Sequence, residues 1–171
     1  MKASMDARGL GDRFICPALP HQPEAAVGHI EAAYAPLAAR DVTFVGSSLG
    51  GFYATWFAEK YARRAVLLNP AIRPDLGLEA FLGPQQNLYT GAAFELTRPH
   101  LAAWRALVVE RVDPERYLLL LETGDEVLDW REAARKYEGA RTVIRDGGDH
   151  SLQSFPEHLP RILAFAGITD V

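Results

Sequence analysis

The chain has 171 residues, of which 49% are hydrophobic and 23% are charged, and this predicts one domain over residues 1–171 with a sizeable buried core. Its net charge of −4 argues against nucleic acid and anionic membranes as partners. The single cysteine, Cys16, excludes an internal disulfide, and with no signal-peptide core and no apolar run of ~20 residues we expect a cytoplasmic protein.

Short apolar runs alternate with helical patterns along the chain, which is typical of βα units and a mostly parallel sheet. The predicted strands are residues 13–17, 42–45, 65–69, 117–122 and 141–145. The predicted helices are residues 22–39, 49–63 and 129–137, and a last helix that begins with the capping pattern at residues 154–157. This order predicts a three-layer α/β fold with helices on both faces of the sheet.

The stretch from about residue 73 to residue 99 departs from this alternation. Glycines and prolines interrupt it, yet it keeps large apolar residues such as Phe81, Leu82 and Tyr89. A long irregular insert that stays apolar is usually a functional lid or loop. We therefore predict a small lid-like insert within the domain.

Residues 46–51, Gly-Ser-Ser-Leu-Gly-Gly, lie where a predicted strand meets a predicted helix. A serine with glycines two positions before and after it, in a strand-to-helix turn, matches the nucleophile elbow of α/β-hydrolases. Because such a turn is tight, we expect only glycine to fit at Gly46 and Gly50, and Ser48 to adopt a strained backbone. The amide of Leu49 would then face a developing oxyanion. The pattern alone arises by chance in about 5% of chains of this length. Whether it marks a nucleophile therefore depends on whether the sequence also supplies a base and an acid.

Two later loops supply the partners that a serine nucleophile needs. Asp125 comes directly after the predicted strand at 117–122, and His150 follows the strand at 141–145 on a glycine-rich loop. In α/β-hydrolases the serine, the acid and the histidine follow one another in this order, each beyond the carboxyl end of a strand. The sequence therefore predicts a catalytic triad of Ser48, Asp125 and His150.

Two of these residues have structural alternatives. Ser48 also suits a helix N-cap, and Asp125 also suits a turn. Asp129 is the other acid in this region, but its place at the start of a helical pattern favours an N-cap role. Ser47 lacks the glycine framing of Ser48.

The remaining histidines do not follow a predicted strand, so we expect them to be structural or surface residues. They are His21, His29, His100 and His158. Asp149 is too close in sequence to orient His150 easily. A phosphate cradle at the helix N-terminus is a third interpretation of the glycine-rich turn, but the turn lacks the Lys-Ser/Thr of a P-loop and the G-x-G-x-x-G spacing.

Longer motifs extend across most of the chain. They are residues 17–20 (PALP), 45–56 (VGSSLGGFYATW), 69–74 (NPAIRP), 89–91 (YTG), 123–129 (TGDEVLD) and 147–150 (GGDH). In this order they resemble the small bacterial esterases of the YqiA-like family, a branch of the α/β-hydrolases. The resemblance implies hydrolysis of short-chain acyl esters without a metal or organic cofactor, and it carries the triad onto Ser48, Asp125 and His150.

The same interpretation gives the insert a role in the reaction. Phe81, Leu82 and Tyr89 would shape a pocket for the acyl group, although packing in the core is the alternative fate of such residues. A thioesterase would use the same triad as an esterase.

One feature of the YqiA-like family has no match in this sequence. Family members begin with a strand that ends in a His-Gly-Phe-type turn and supplies the second oxyanion amide. The resemblance thus implies an N-terminally shortened fold, in which the strand at 42–45 lacks a neighbour unless residues 13–17 pair with it directly. Either Met1 was assigned as the start too late, or the chain is rearranged. Since one oxyanion donor is worth roughly 10²–10³ in rate, the alternative function is a binding protein with weak or no catalysis.

Overall fold

Helices and strands alternate through the residues that the structure, a computed structural model, describes, which are 1–87 and 91–168. The α-helices are α1 (Lys2–Ala7), α2 (Pro23–Tyr34), α3 (Leu49–Tyr61), α4 (Pro74–Gly77), α5 (Arg98–Ala106), α6 (Trp130–Lys136) and α7 (Phe155–Phe165). The strands are β1 (Thr43–Ser47), β2 (Arg64–Leu68), β3 (Gly83–Gln86), β4 (Ala93–Leu96), β5 (Tyr117–Glu122) and β6 (Arg141–Arg145). Within the described ranges, no helix has both the length and the apolar character that crossing a membrane requires.

Four of the strands form one parallel sheet in the order β1-β2-β5-β6. All six residues of β5 are buried, as expected for a strand that is covered on both faces. The predicted strands at 42–45, 65–69, 117–122 and 141–145 correspond to these four. The predicted α/β class with a mostly parallel sheet is therefore confirmed.

Helices pack on both faces of this sheet. Leu119 and Leu121 of β5 lie in one apolar cluster with residues of α3 and α6. The intervening Leu118 and Leu120 lie in a second cluster with residues of α7. This alternation follows from the two-residue period of a strand, and it gives the three layers that the sequence predicts.

The insert at residues 73–99 is more regular than its glycines and prolines suggested. After α4 and a short 3₁₀-helix at Glu79–Phe81, strands β3 and β4 pair antiparallel. Gly83 begins β3 with a φ of +114°, which glycine adopts without strain, and Pro84 is tolerated because a two-stranded ribbon leaves one edge of each strand unpaired. The glycine and proline that suggested an irregular segment are therefore part of an antiparallel strand pair, which the sequence reasoning missed. It also missed α5, which packs Trp104 into a cluster with residues of α3.

Residues 13–17 do not form the strand that was predicted there. Arg13 ends a 3₁₀-helix, and residues 14–20 have no regular secondary structure. Pro17 and Pro20 remove two backbone donors from this segment, and Ile15 is 51% exposed instead of packed in a core. Direct pairing of residues 13–17 with β1 is therefore not found.

β1 is the edge of the sheet within the described part of the chain, where its one partner is β2. Its open side and residues 15–17 both line a cavity of about 390 Å³. The cavity thus lies between β1 and the segment that was expected to pair with it.

Candidate active site

The candidate site lies at the carboxyl ends of the parallel strands. The hydrogen-bond ladder continues one residue past the end of β1 and of β2. The amide of Ser48 donates to the Leu68 carbonyl, and the amide of Asn69 donates to the Leu120 carbonyl, both at 3.0 Å. Ser48 and Asn69, the first residues after these strands, are therefore held by the same kind of backbone hydrogen bonds as the strands themselves.

Ser48 has the strained backbone that the sequence predicts for the tip of the turn. Its φ is +52° and its ψ is −122°, which is uncommon for a residue with a side chain. Its carbonyl accepts the amides of Gly51 at 2.9 Å and Ala71 at 3.0 Å, which hold it in this conformation. Ser48 occupies the N-cap position of α3, but its hydroxyl makes no capping bond. The hydroxyl is therefore available for another partner.

The glycines of the turn do not share one role. A Cβ at Gly46 would lie 2.6 Å from the Gly51 nitrogen and closer still to the Gly50 carbonyl, so only glycine fits there. A Cβ at Gly50 would meet no atom within 4 Å outside its own helix. The steric requirement predicted for Gly50 is therefore wrong. The second requirement falls on Gly51, where a Cβ would lie 2.7 Å from the Cβ of Pro70.

The structure brings Ser48, His150 and Asp125 together. The Nε2 atom of His150 is 3.0 Å from the Oγ atom of Ser48, and its Nδ1 atom is 2.9 Å from Oδ2 of Asp125. Because a carboxylate only accepts hydrogen bonds, Nδ1 carries the proton, and Nε2 is left to accept from the Ser48 hydroxyl. The side chains of Asp125 and His150 are 1% and 20% exposed. The arrangement can therefore move a proton from Ser48 to a partly accessible imidazole.

Asp125 also has the turn role that the sequence offers as an alternative. Its Oδ1 atom accepts the amides of Val127 and Leu128, each at 2.9 Å. One carboxylate thus braces its own turn and binds the imidazole. Asp129 is the N-cap of α6, as predicted, and its side chain accepts the amide of Arg131 at 3.0 Å.

Two glutamates that the sequence reasoning did not select hold the loop of His150. Oε2 of Glu122 accepts the amide of Asp149 at 2.8 Å, and Oε2 of Glu126 accepts the amide of His150 at 3.0 Å. Glu122 is 1% exposed and also accepts the hydroxyl of Ser154. A carboxylate that ends an apolar strand was the available sequence signal, since charged residues are rarely buried without partners.

The other histidines have structural contacts, in agreement with their expected roles. His100 closes the capping box of α5 by accepting the Thr97 amide at 3.1 Å, and His21 stacks on Phe94 with ring centroids 4.5 Å apart. Nδ1 of His29 lies 3.2 Å from the Ala18 carbonyl oxygen, and Nε2 of His158 lies 3.2 Å from Oγ of Ser154.

The residues predicted to shape a substrate pocket lie in different surroundings. Phe81 is 56% exposed, and Leu82 packs against the same apolar cluster as Leu49. Tyr89 lies outside the described residues. The 390 Å³ cavity is lined by neither Ser48 nor Phe81, and so it is distinct from the predicted acyl pocket.

Comparison with known proteins agrees with this fold. The profile of the uncharacterised protein family UPF0227 matches residues 1–167. A candidate hydrolase from Agrobacterium vitis S4 has a TM-score of 0.66 at 20% identity, over 85% of this chain and 69% of that one. An alpha/beta superfamily hydrolase from Oenococcus oeni PSU-1 has a TM-score of 0.56 at 14% identity, over 88% and 77%. A monoacylglycerol lipase from Paleococcus ferrophilus has a TM-score of 0.58 at 16% identity, over 86% and 76%. At these identities the likeness shows the α/β-hydrolase fold alone.

Proposed function

This chain belongs to the uncharacterised protein family UPF0227, and we propose that it is a serine hydrolase that cleaves short-chain carboxylic esters. The observation that carries the proposal is the continuous hydrogen-bonded line from Ser48 through His150 to the buried Asp125. The α/β-hydrolase fold supports a hydrolytic reaction, and the resemblance to the YqiA-like esterases supports short acyl chains. Thioesters are a second substrate class for the same residues.

The first half of the reaction transfers the acyl group to the enzyme. As Oγ of Ser48 attacks the ester carbonyl carbon, its proton passes to Nε2 of His150. Asp125 keeps the imidazole in the required tautomer and stabilises the imidazolium that forms. His150 then gives the proton to the leaving alcohol as the bond between the carbonyl carbon and the alkoxy oxygen breaks. The acyl group is left on Ser48.

The second half hydrolyses this acyl-enzyme. Nε2 of His150 takes a proton from a water molecule, and the water oxygen attacks the acyl carbon. The bond from that carbon to Oγ of Ser48 then breaks, and His150 returns the proton to Oγ. The products are the free acid and the unmodified enzyme, and the proposed cycle requires neither a metal nor an organic cofactor.

The amide of Leu49 is the proposed donor to the oxyanion. Leu49 is the first residue of α3, and the first amides of a helix have no intrahelical acceptor and lie at its positive end. Removing one such donor typically costs roughly 10²–10³ in kcat. A chain with a single donor would therefore be a slow esterase or a binding protein, which is the second candidate function. Phe81, Leu82 and Tyr89 are the proposed lining of the acyl pocket.

A fluorophosphonate probe with intact-mass detection tests the proposal. We expect one covalent adduct on the wild type, none on Ser48→Ala, and an undiminished adduct on Ser47→Ala, which changes the adjacent exposed serine of the same turn. The same pattern is expected for the hydrolysis of p-nitrophenyl acetate and butyrate: the wild type and Ser47→Ala should be active, and Ser48→Ala should be inactive. A folded wild type that neither reacts nor hydrolyses would favour the binding protein, and labelling that survives Ser48→Ala would exclude Ser48 as the nucleophile.

A further inference from the structure

Asn69 lies between the loops of the proposed nucleophile and base, and its side-chain partners are the backbone groups of Asp149, His150 and Glu122 rather than the side chains of Ser48 and His150. It follows β2 directly and is 2% exposed. Its φ of +39° lies in the left-handed region, where asparagine is enriched among residues with side chains. The preceding residue, Leu68, accepts the amide of Ser48 at 3.0 Å. The backbone at this point therefore already fixes the position of the nucleophile.

The side chain of Asn69 reaches the opposite way, to the loop that carries the base. Its Nδ2 atom donates to the carbonyl of Asp149 at 3.0 Å and to the carbonyl of His150 at 3.3 Å. Its Oδ1 atom accepts the amide of Glu122, the last residue of β5, at 3.0 Å. Both N–H groups and the oxygen of the side-chain amide are thus used inside the protein. Because Asn69 is also 2% exposed, we expect no direct contact between its side chain and a substrate.

The loop that carries His150 is held partly by its own turn, in which the Asp149 carbonyl accepts the Leu152 amide at 3.1 Å, and partly by side chains around it. Gly147 and Gly148 have φ values of +75° and +74° and allow many backbone conformations. Beyond them, side chains from the end of β5 and from two neighbouring loops hold the peptide groups of Asp149 and His150. Glu122 and Glu126 accept the two amides, and Asn69 donates to both carbonyls. Of these three residues, only Asn69 directly follows Leu68, whose carbonyl accepts the Ser48 amide.

We propose that Asn69 is a positioning residue, which sets the distance between Nε2 of His150 and Oγ of Ser48 through its Nδ2 bonds to the His150 loop. This inference rests on the proposed serine hydrolase function. Displacement of a catalytic group by 1 Å can cost about 100-fold in rate. Because Asn69 is buried and its side-chain amide is bonded inside the protein, we expect its loss to lower kcat and to leave KM nearly unchanged.

The sharpest variant is Asn69→Asp. It preserves the size of the side chain, its tolerance of a left-handed backbone and the oxygen that accepts the Glu122 amide. It replaces the Nδ2 donor with an acceptor that faces two carbonyls. We expect a loss of about 100-fold in kcat and in the labelling rate of Ser48. The carboxylate also adds a negative charge near His150, and this needs a control.

Gln153→Glu is a control for a new carboxylate at an exposed position of this loop, and the neutral Asn69→Gly is the control for the charge that Asn69→Asp buries. Gln153 is exposed and donates from its side-chain amide to the side chain of Asp149, so the exchange places a new carboxylate on the same loop. It leaves the bonds to the Asp149 and His150 carbonyls intact. We expect kcat to stay within about fivefold of wild type, because exposed charges interact weakly. A loss as large as that of Asn69→Asp would assign the effect to charge and overturn the proposal.

A spectroscopic measurement keeps the test independent of activity. The Nδ1 proton of His150, held by Asp125, should give a low-field NMR resonance in the wild type that broadens or shifts in Asn69→Asp. If Asn69→Asp does not fold, Asn69→Gly retains the backbone conformation and removes the donor, and the same changes are expected. A folded variant with unchanged kcat and unchanged resonance would overturn the positioning role. A wild type that is inert but shows this dependence of the resonance on Asn69 would instead overturn the hydrolase function alone.

Discussion

Asp125 binds His150 with a carboxylate that is itself held by the backbone. Oδ2 lies 2.9 Å from Nδ1 of His150, while Oδ1 accepts the amides of Val127 and Leu128. The carboxylate cannot rotate without breaking these bonds, and its side chain is 1% exposed. The orientation of the imidazole toward Ser48 is therefore set by the turn after β5.

We expect Asp125→Asn to lower kcat by roughly 10⁴, because the amide can donate to Nδ1 and favour the wrong tautomer of His150. The substitution keeps an oxygen for the two turn amides, so the protein should still fold. Steady-state hydrolysis of p-nitrophenyl acetate, with circular dichroism as a check on folding, measures the effect. Asp129→Asn, four residues along and limited to the cap of α6, should keep kcat. Equal kcat values for the two variants would contradict the role of Asp125.

The three residues of the candidate site could be predicted from the sequence because each belongs to a local pattern. Ser48 lies between glycines after an apolar run, Asp125 follows a buried strand, and His150 follows a glycine-rich loop. Parallel strands bring such loops to one edge of the sheet without further information. The geometry of the site is therefore largely a consequence of the order of the elements.

Other parts could not be predicted, because they depend on which elements become neighbours. Nothing near Asn69 in the sequence indicates that its side chain meets a loop 80 residues later. Residues 13–17 have an apolar pattern typical of a strand, but without a partner on β1 they remain irregular. The requirement for glycine at Gly51, and not at Gly50, depends on the approach of Pro70. Each of these outcomes is a tertiary effect that overrides local preference.

The glycines of the turn give a paired prediction. Gly46→Ala should destabilise the protein by more than about 3 kcal/mol, because its Cβ would overlap backbone that cannot move without opening the turn. Gly50→Ala should be neutral or stabilising by up to about 1 kcal/mol, since it adds a better helix former in open space. Urea unfolding measures both changes. Similar losses of stability in the two variants would contradict the assignment of the steric requirement to Gly46.

The insert gives a prediction about acyl-chain selectivity. Phe81→Ala should leave the free energy of unfolding within about 0.5 kcal/mol of wild type, since Phe81 is 56% exposed. Leu82→Ala should cost about 2 kcal/mol, because Leu82 packs against the cluster that includes Leu49.

If Phe81 contacts the acyl chain, its removal should lower the ratio of kcat/KM for butyrate over acetate esters about tenfold. An unchanged ratio would place the acyl group elsewhere.

The last prediction concerns Asp75, which joins α4 to α5 at the base of the insert. Arg73 donates to both of its carboxylate oxygens at 2.8 Å, and Arg105 donates to one at 3.1 Å. The hydrogen bonds from Arg73, with a further contribution from Arg105, hold the pKa of the buried Asp75 below its ordinary value of 3.8. Asp75 therefore stabilises the fold above that value, and this stabilisation is lost as pH falls through its lower pKa in the folded state.

We expect Asp75→Asn to lower the free energy of unfolding by about 1.5–3 kcal/mol at pH 7, the range for hydrogen bonds to charged groups. The difference from wild type should shrink as pH falls from 3.8 toward the lower pKa of the folded state, where the wild-type carboxyl also becomes neutral. Urea unfolding at a series of pH values measures it. The control is Asp41→Asn, which removes a 70% exposed partner of Arg64 and should cost less than about 1 kcal/mol. A difference for Asp75→Asn that does not change with pH would mean that packing, and not charge, accounts for its effect.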